Sequence, residues 1–144
     1  MAYKILQEDG VVRIRFLAEV VPDDLQTLRR EIDRIDEELP VAPHRLVDLA
    51  EASGAQIDYS RIAAFAESRR VKRLRNNIRV AMVARAPHQF GVARMFQSLF
   101  SNPQMELQVF RELVAAEAWV VGAPETLLEE DLDRIEGSLS GRHA

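Results

Sequence analysis

Residues 78–84 read Ile-Arg-Val-Ala-Met-Val-Ala, a run that is apolar apart from Arg79. A stretch of that length, flanked by polar residues on both sides, suits a strand covered on both faces. The expectation is therefore an α/β domain with this strand at the centre of its sheet. Everything from residue 77 to 121 follows from it: the strand, an amphipathic helix, a second strand and a closing helix.

Ahead of that stretch the chain alternates between strand and helix patterns. Residues 3–7 and 11–17 alternate around Glu8-Asp9-Gly10, which supplies hairpin turn chemistry. Val12, Ile14 and Phe16 share one face of the hairpin, while Arg13 and Arg15 share the other, which is expected to be wet. Pro22-Asp23-Asp24 opens a helix, since proline and acids suit a first turn. Leu25, Leu28, Ile32, Ile35 and Leu39 make its single apolar stripe, and Pro40 ends it. Residues 45–50 (RLVDLA) form a short strand, and a further helix carries Ile62, Phe65 and Ala66. Six basic residues, Arg69, Arg70, Lys72, Arg73, Arg75 and Arg79, follow in a cluster. No aromatic side chain interrupts it, as single-strand nucleic-acid binding would require. The carboxyl end of a helix is the simpler reason for cations there.

Beyond the central strand, a helix from about Phe90 to Phe100 is expected to bury Val92, Met95, Phe96 and Leu99. Ala93 and Phe100 extend the apolar surface sideways, which is more than one sheet contact uses. Met105, Leu107 and Val109 alternate with Glu106 and Gln108 as a strand with one exposed face. The next helix is expected to bury Val114, Ala118 and Trp119. Gly122-Ala123-Pro124 breaks the pattern, and residues 125–136 resume it with Leu127, Leu128, Leu132 and Ile135 against an acidic face. The whole order is β-β-α-β-α-β-α-β-α-α. It describes a mixed sheet, parallel in its core, with an N-terminal antiparallel hairpin and helices mostly on one face. One domain is expected over 1–122, with a C-terminal helical extension and frayed tail over 123–144.

Composition narrows the chemistry. The chain has 144 residues, enough for one sizeable core, and no cysteine, which removes disulfides, iron–sulfur clusters, thiolate zinc sites and a cysteine nucleophile. The formal net charge of −4 argues against a general nucleic-acid binder, and no specific nucleic-acid partner is expected. Residues 1–10 lack a signal-peptide run and no segment approaches a membrane span, so a cytoplasmic location is expected.

The residues VAMVARAPHQFGVARMF, then LQVF, then AAEAWV carry a resemblance. Gly91, Ala93, Arg94 and Met95, the strand ending Val109-Phe110, and the Ala-rich helix reaching Ala118 and Trp119 resemble the second half of bacterial SpoIIAA-like proteins. These are small domains of the STAS/SEC14 type. The resemblance implies a regulatory or protein-interaction module without catalysis. Its SEC14 side implies the alternative, a carrier or sensor of a small hydrophobic or lipid-like ligand. STAS antagonists also place a phosphorylatable serine in Asp-Ser-Ser/Thr-Gly at a helix start, and Ser60 is the position that matches. Here Tyr59 and Arg61 replace the first hydroxyl residue and the glycine, so helix-start chemistry is the expected role of Ser60.

Candidate site residues follow from position. Asp48 ends a strand, where α/β sheets gather ligands, although an aspartate there also organises turns. Arg85, His88 and Arg94 flank the start of the helix after the central strand, where free amide groups favour anions. Phe90, Phe96 and Phe100 are the apolar surplus, available to a ligand or a partner subunit. A lone histidine with no second ligand in range does not make a metal site, so no metal and no cofactor are expected. No Ser/His/Asp spacing, phosphate loop or nucleophile motif appears, so an enzyme is not expected. Self-association as a homodimer, through the Phe90–Phe100 helix and the last helix, completes the expectations.

Overall fold

The computed structural model describes residues 3–53 and 59–122, apart from the Tyr59 side chain. The expected C-terminal extension over 123–144 and its dimerisation helix lie outside the described residues. Strands β1 (Tyr3–Glu8), β2 (Val11–Phe16), β3 (His44–Asp48), β4 (Ile78–Val83) and β5 (Met105–Phe110) form one sheet in that order. Only β1 and β2 are antiparallel, and the remaining pairs are parallel. The hairpin turn consists of Asp9 and Gly10, both at positive φ (52° and 76°), the arrangement whose twist matches that of paired strands. Glycine at the second position adopts it without the steric cost borne by Asp9.

Helices α1 (Pro22–Glu38), α2 (Tyr59–Arg70) and α3 (Pro87–Leu99) follow β2, β3 and β4. They share one face of the sheet. Helix α4 (Leu113–Val121) packs on the other. Strand parity explains the division. Val12, Ile14 and Phe16 of β2 join Leu28, Ile32 and Ile35 of α1 in the larger core, whereas Val11, Leu46, Ala81 and Val83 face Ala116 and Val120 of α4. The α1 stripe is the one its spacing predicts, and each buried Leu or Ile contributes about 1.5–3 kcal/mol. Its start is held by Asp24, whose carboxylate accepts the Val21 amide at 2.9 Å.

Four expectations are corrected. The middle strand is β3, while β4 lies one place nearer the β5 edge. The apolar run over 78–84 reflects cover on both faces, which an off-centre strand also has. In α3 the fully buried residues are Gln89 and Ala93, and the expected stripe of Val92, Met95, Phe96 and Leu99 is only half-buried. Only a small side chain lets α3 approach the sheet along that line. In α4, Val114 is 80% exposed and Ala118 is also exposed, while Ala116 and Val120 are buried and Trp119 is half-buried. A helix apolar nearly all round gives no pattern from which to choose its inward face. The second face of β2 is also less wet than expected, because Arg13 is half-buried against Glu117 of α4.

The loops are fixed by side-chain amides. Asn76 clamps Ala42, accepting its amide at 2.7 Å and donating to its carbonyl at 3.0 Å. Asn102 donates to the carbonyls of Arg69 and Lys72 at 2.7 and 2.8 Å, which satisfies groups that the end of α2 leaves open. Gln104 does the same for both backbone groups of Leu74. Five of the six residues of the basic cluster have partners within the fold. Arg69 and Lys72 pair with Asp33, Arg70 with Glu67, Arg75 donates to the Leu39 carbonyl, and Arg79 donates to the Trp119 carbonyl with its guanidinium 4.8 Å from the indole centre.

Candidate functional site

Between the sheet and helices α1, α2 and α3 lies a cavity of about 260 Å³. Its floor includes Val47, Val80 and Met82, which project from alternate positions of β3 and β4. Its roof includes Leu25 and Leu28 of α1 and Val92 and Phe96 of α3. One wall is aromatic: the Phe65 and Phe96 rings lie 5.7 Å apart, and Phe96 and Phe100 5.3 Å apart. Two of the three phenylalanines singled out in the sequence therefore line this space. Phe90 turns elsewhere, with the Arg111 and Arg94 guanidiniums 4.3 and 6.0 Å from its ring centre.

Against this apolar lining stand two buried cations. Arg45 is the residue of β3 that shares a face with Val47, and it donates Nη2 to the buried carboxylate of Asp36. Arg69, in the last turn of α2, donates Nη2 to Asp33 at 3.0 Å, and Lys72 reaches the same oxygen at 3.3 Å. Burial pushes Asp36 above the usual carboxylate range despite its partner, and pushes Arg45 below its ordinary value. Burial also acts upward on Asp33, but the charges of Arg69 and Lys72 outweigh it and hold that carboxyl low. Sequence inspection missed Arg45 and Arg69 as site residues. The available signal was parity, since an arginine two places before an inward valine must also point inward.

The rim of the cavity near α3 is fixed by Gln89. Its Oε1 accepts the amides of Arg85 and Ala86 at 3.2 and 3.1 Å, and its Nε2 donates to the carbonyls of Ala50 and Ala52 at 3.3 and 2.9 Å. One buried side chain thus joins the β3 exit to the start of α3. His88, its neighbour, is exposed and also lines the cavity.

The other candidates separate from this space. Asp48 accepts the Ala50 amide at 2.9 Å, so its carboxylate organises the turn after β3. Ser60 is exposed as the second residue of α2, one place inside the first turn, and so is not the residue that precedes the helix. Arg85 is exposed and pairs with Glu112 at 3.3 Å. Arg94 is exposed over Phe90. Arg85 and His88 lie at the junction where β4 passes into α3, and Ser60 lies in the first turn of α2, the helix that follows β3. Among the described residues there is no cluster of three or more metal-ligating side chains, and no helix is long and apolar enough to cross a membrane.

No family model matches the sequence. No curated protein matches it either. Solved structures do match. A protein of the DUF3478 family with a SpoIIAA-like fold, from Shewanella loihica PV-4, aligns with a TM-score of 0.55 at 15% identity, over 83% of this chain and 92% of its own. The anti-sigma factor antagonist SpoIIAA in its unphosphorylated form aligns with a TM-score of 0.52 at 15% identity, over 94% and 99%. At such identity the likeness concerns backbone architecture alone. The chain carries a SpoIIAA-like fold.

Proposed function

We propose that this chain is a regulatory module that acts by binding a protein partner through the exposed residues Ser60, Arg85, His88 and Arg94. The observation that carries the reading is the fold shared with an anti-sigma factor antagonist, together with an exposed serine in the first turn of the helix after β3. The local structure supports it physically. Gln89 holds the β3 exit and the start of α3 in one arrangement, so little ordering entropy opposes association there. The guanidiniums of Arg94 and Arg111 both lie over the Phe90 ring, a combination suited to an acidic partner.

The test is affinity capture of the full chain from the cells that naturally make it, alongside Arg85→Glu and Arg94→Glu. The expected result is a stoichiometric protein retained by the parent chain and lost from at least one charge reversal. Retention of nothing specific, or equal retention by both variants, sinks the reading.

A further inference from the structure

The cavity and its two arginines carry an inference that is independent of any protein partner. The side chains of Arg45 and Arg69 are only 5% and 6% exposed, both residues line the cavity, and Nη1 of each has no hydrogen-bond partner among the described residues. A buried donor left unmade is costly, so such atoms mark a place where something else accepts. The charge count points the same way. Arg45, Arg69 and Lys72 face two carboxylates, Asp33 and Asp36, which leaves one positive charge in excess. Asp36 Oδ1 also lacks a partner, but Asp36 is not among the residues that line the cavity.

We infer that the cavity binds a small anionic amphiphile, its charged head on the Nη1 groups of Arg45 and Arg69 and its alkyl chain against Val92, Phe96 and Phe100. Guanidinium groups match the paired oxygens of a carboxylate or phosphate, and in a dry site such hydrogen bonds are strong. An apolar lining with a few convergent polar groups is the usual make-up of a small-molecule site. The volume of about 260 Å³ sets the size. At about 30 Å³ for each water-sized group, it holds on the order of ten heavy atoms. That is about the size of an eight-carbon carboxylate, its head carbon included, rather than of a two-tailed lipid.

The experiment is an amide chemical-shift titration of the full chain with octanoate and with octyl phosphate, against octanol as the neutral probe of equal chain length. The expected result is saturable shifts along β3, β4 and α3, with at least one anion bound tenfold or more tighter than octanol, as charge-assisted hydrogen bonds require. Whichever anion wins identifies the head group. Val92→Phe, which fills the cavity, is expected to weaken the anion at least tenfold, and Arg69→Met to reduce its advantage over octanol. Should Arg69→Met fail to fold, the parent ratio and Val92→Phe decide. Equal affinity for octanol, no shifts with any probe, or unchanged anion binding in folded Val92→Phe overturns the inference. A failure of partner capture leaves all of these readouts unaffected.

Discussion

Gln89, in the first turn of α3, donates its Nε2 to the carbonyl of Ala52, 37 residues earlier in the chain, at 2.9 Å. The same side chain also satisfies Ala50, Arg85 and Ala86, so four backbone groups depend on one buried amide. Replacing Gln89 with Met keeps the volume and removes every partner. Each buried group left open costs about 1–3 kcal/mol before water enters, and a net loss of about 3 kcal/mol is expected in urea unfolding. A change below about 0.5 kcal/mol, the scale of ordinary surface substitutions, would mean that this link is not structural.

The buried pair of Arg45 and Asp36 gives a second test. Removing one partner leaves an uncompensated charge, so Arg45→Met alone should cost about 3–5 kcal/mol. Combining it with Asp36→Leu should recover most of that loss, because two apolar side chains replace two buried charges. A double mutant as unstable as the sum of the singles would show that the pair is not coupled.

His44 makes stability depend on pH. Its Nδ1 accepts the Arg79 amide at 2.9 Å, so that nitrogen carries no proton, and burial, then the charges of Arg79 and Arg45, hold its pKa below the usual 6.5. The folded state therefore favours neutral imidazole. This contribution is complete above about pH 6.5 and is lost as pH falls through the lowered folded value. Stability should decline from pH 7 toward pH 5, and His44→Gln should flatten that limb. An imidazole titrating above 6.5 by NMR is the contrary outcome.

Ser60 is exposed inside the first turn of α2. Ser60→Ala should then alter stability by less than about 0.5 kcal/mol, below the cost of losing a helix cap. A loss of about 1–2 kcal/mol would restore the capping role expected from sequence. Stoichiometric phosphate on Ser60 in its own cells, with changed partner affinity, would make it a switch.

Catalysis is tested separately. A panel of ester, phosphoester and nucleotide substrates is expected to show no turnover. Activity abolished by Asp48→Ala or Ser60→Ala would replace the regulatory reading with an enzymatic one.

Sequence determined those features that depend on local periodicity. The α1 stripe from Leu25 to Leu39 steps by three and four, the 3–17 hairpin turns at Asp9-Gly10, and the order of strands and helices follows from alternating patterns. Even the resemblance, carried by residues 77–121, pointed to the architecture found. Tertiary structure decided what lay between elements. Helix α4 is apolar on most sides, so only contact with Ala81 and Val83 selects Ala116 and Val120 as its inward residues. Phe96 and Phe100 were legible as surplus, but their lining of a cavity required the position of α2. Arg45 and Arg69 are 24 positions apart, and Gln89 satisfies carbonyls 37 and 39 positions away. Periodicity reports which face of an element is apolar. It does not report which distant charge, carbonyl or void that face will meet, because those are set by packing across the sheet.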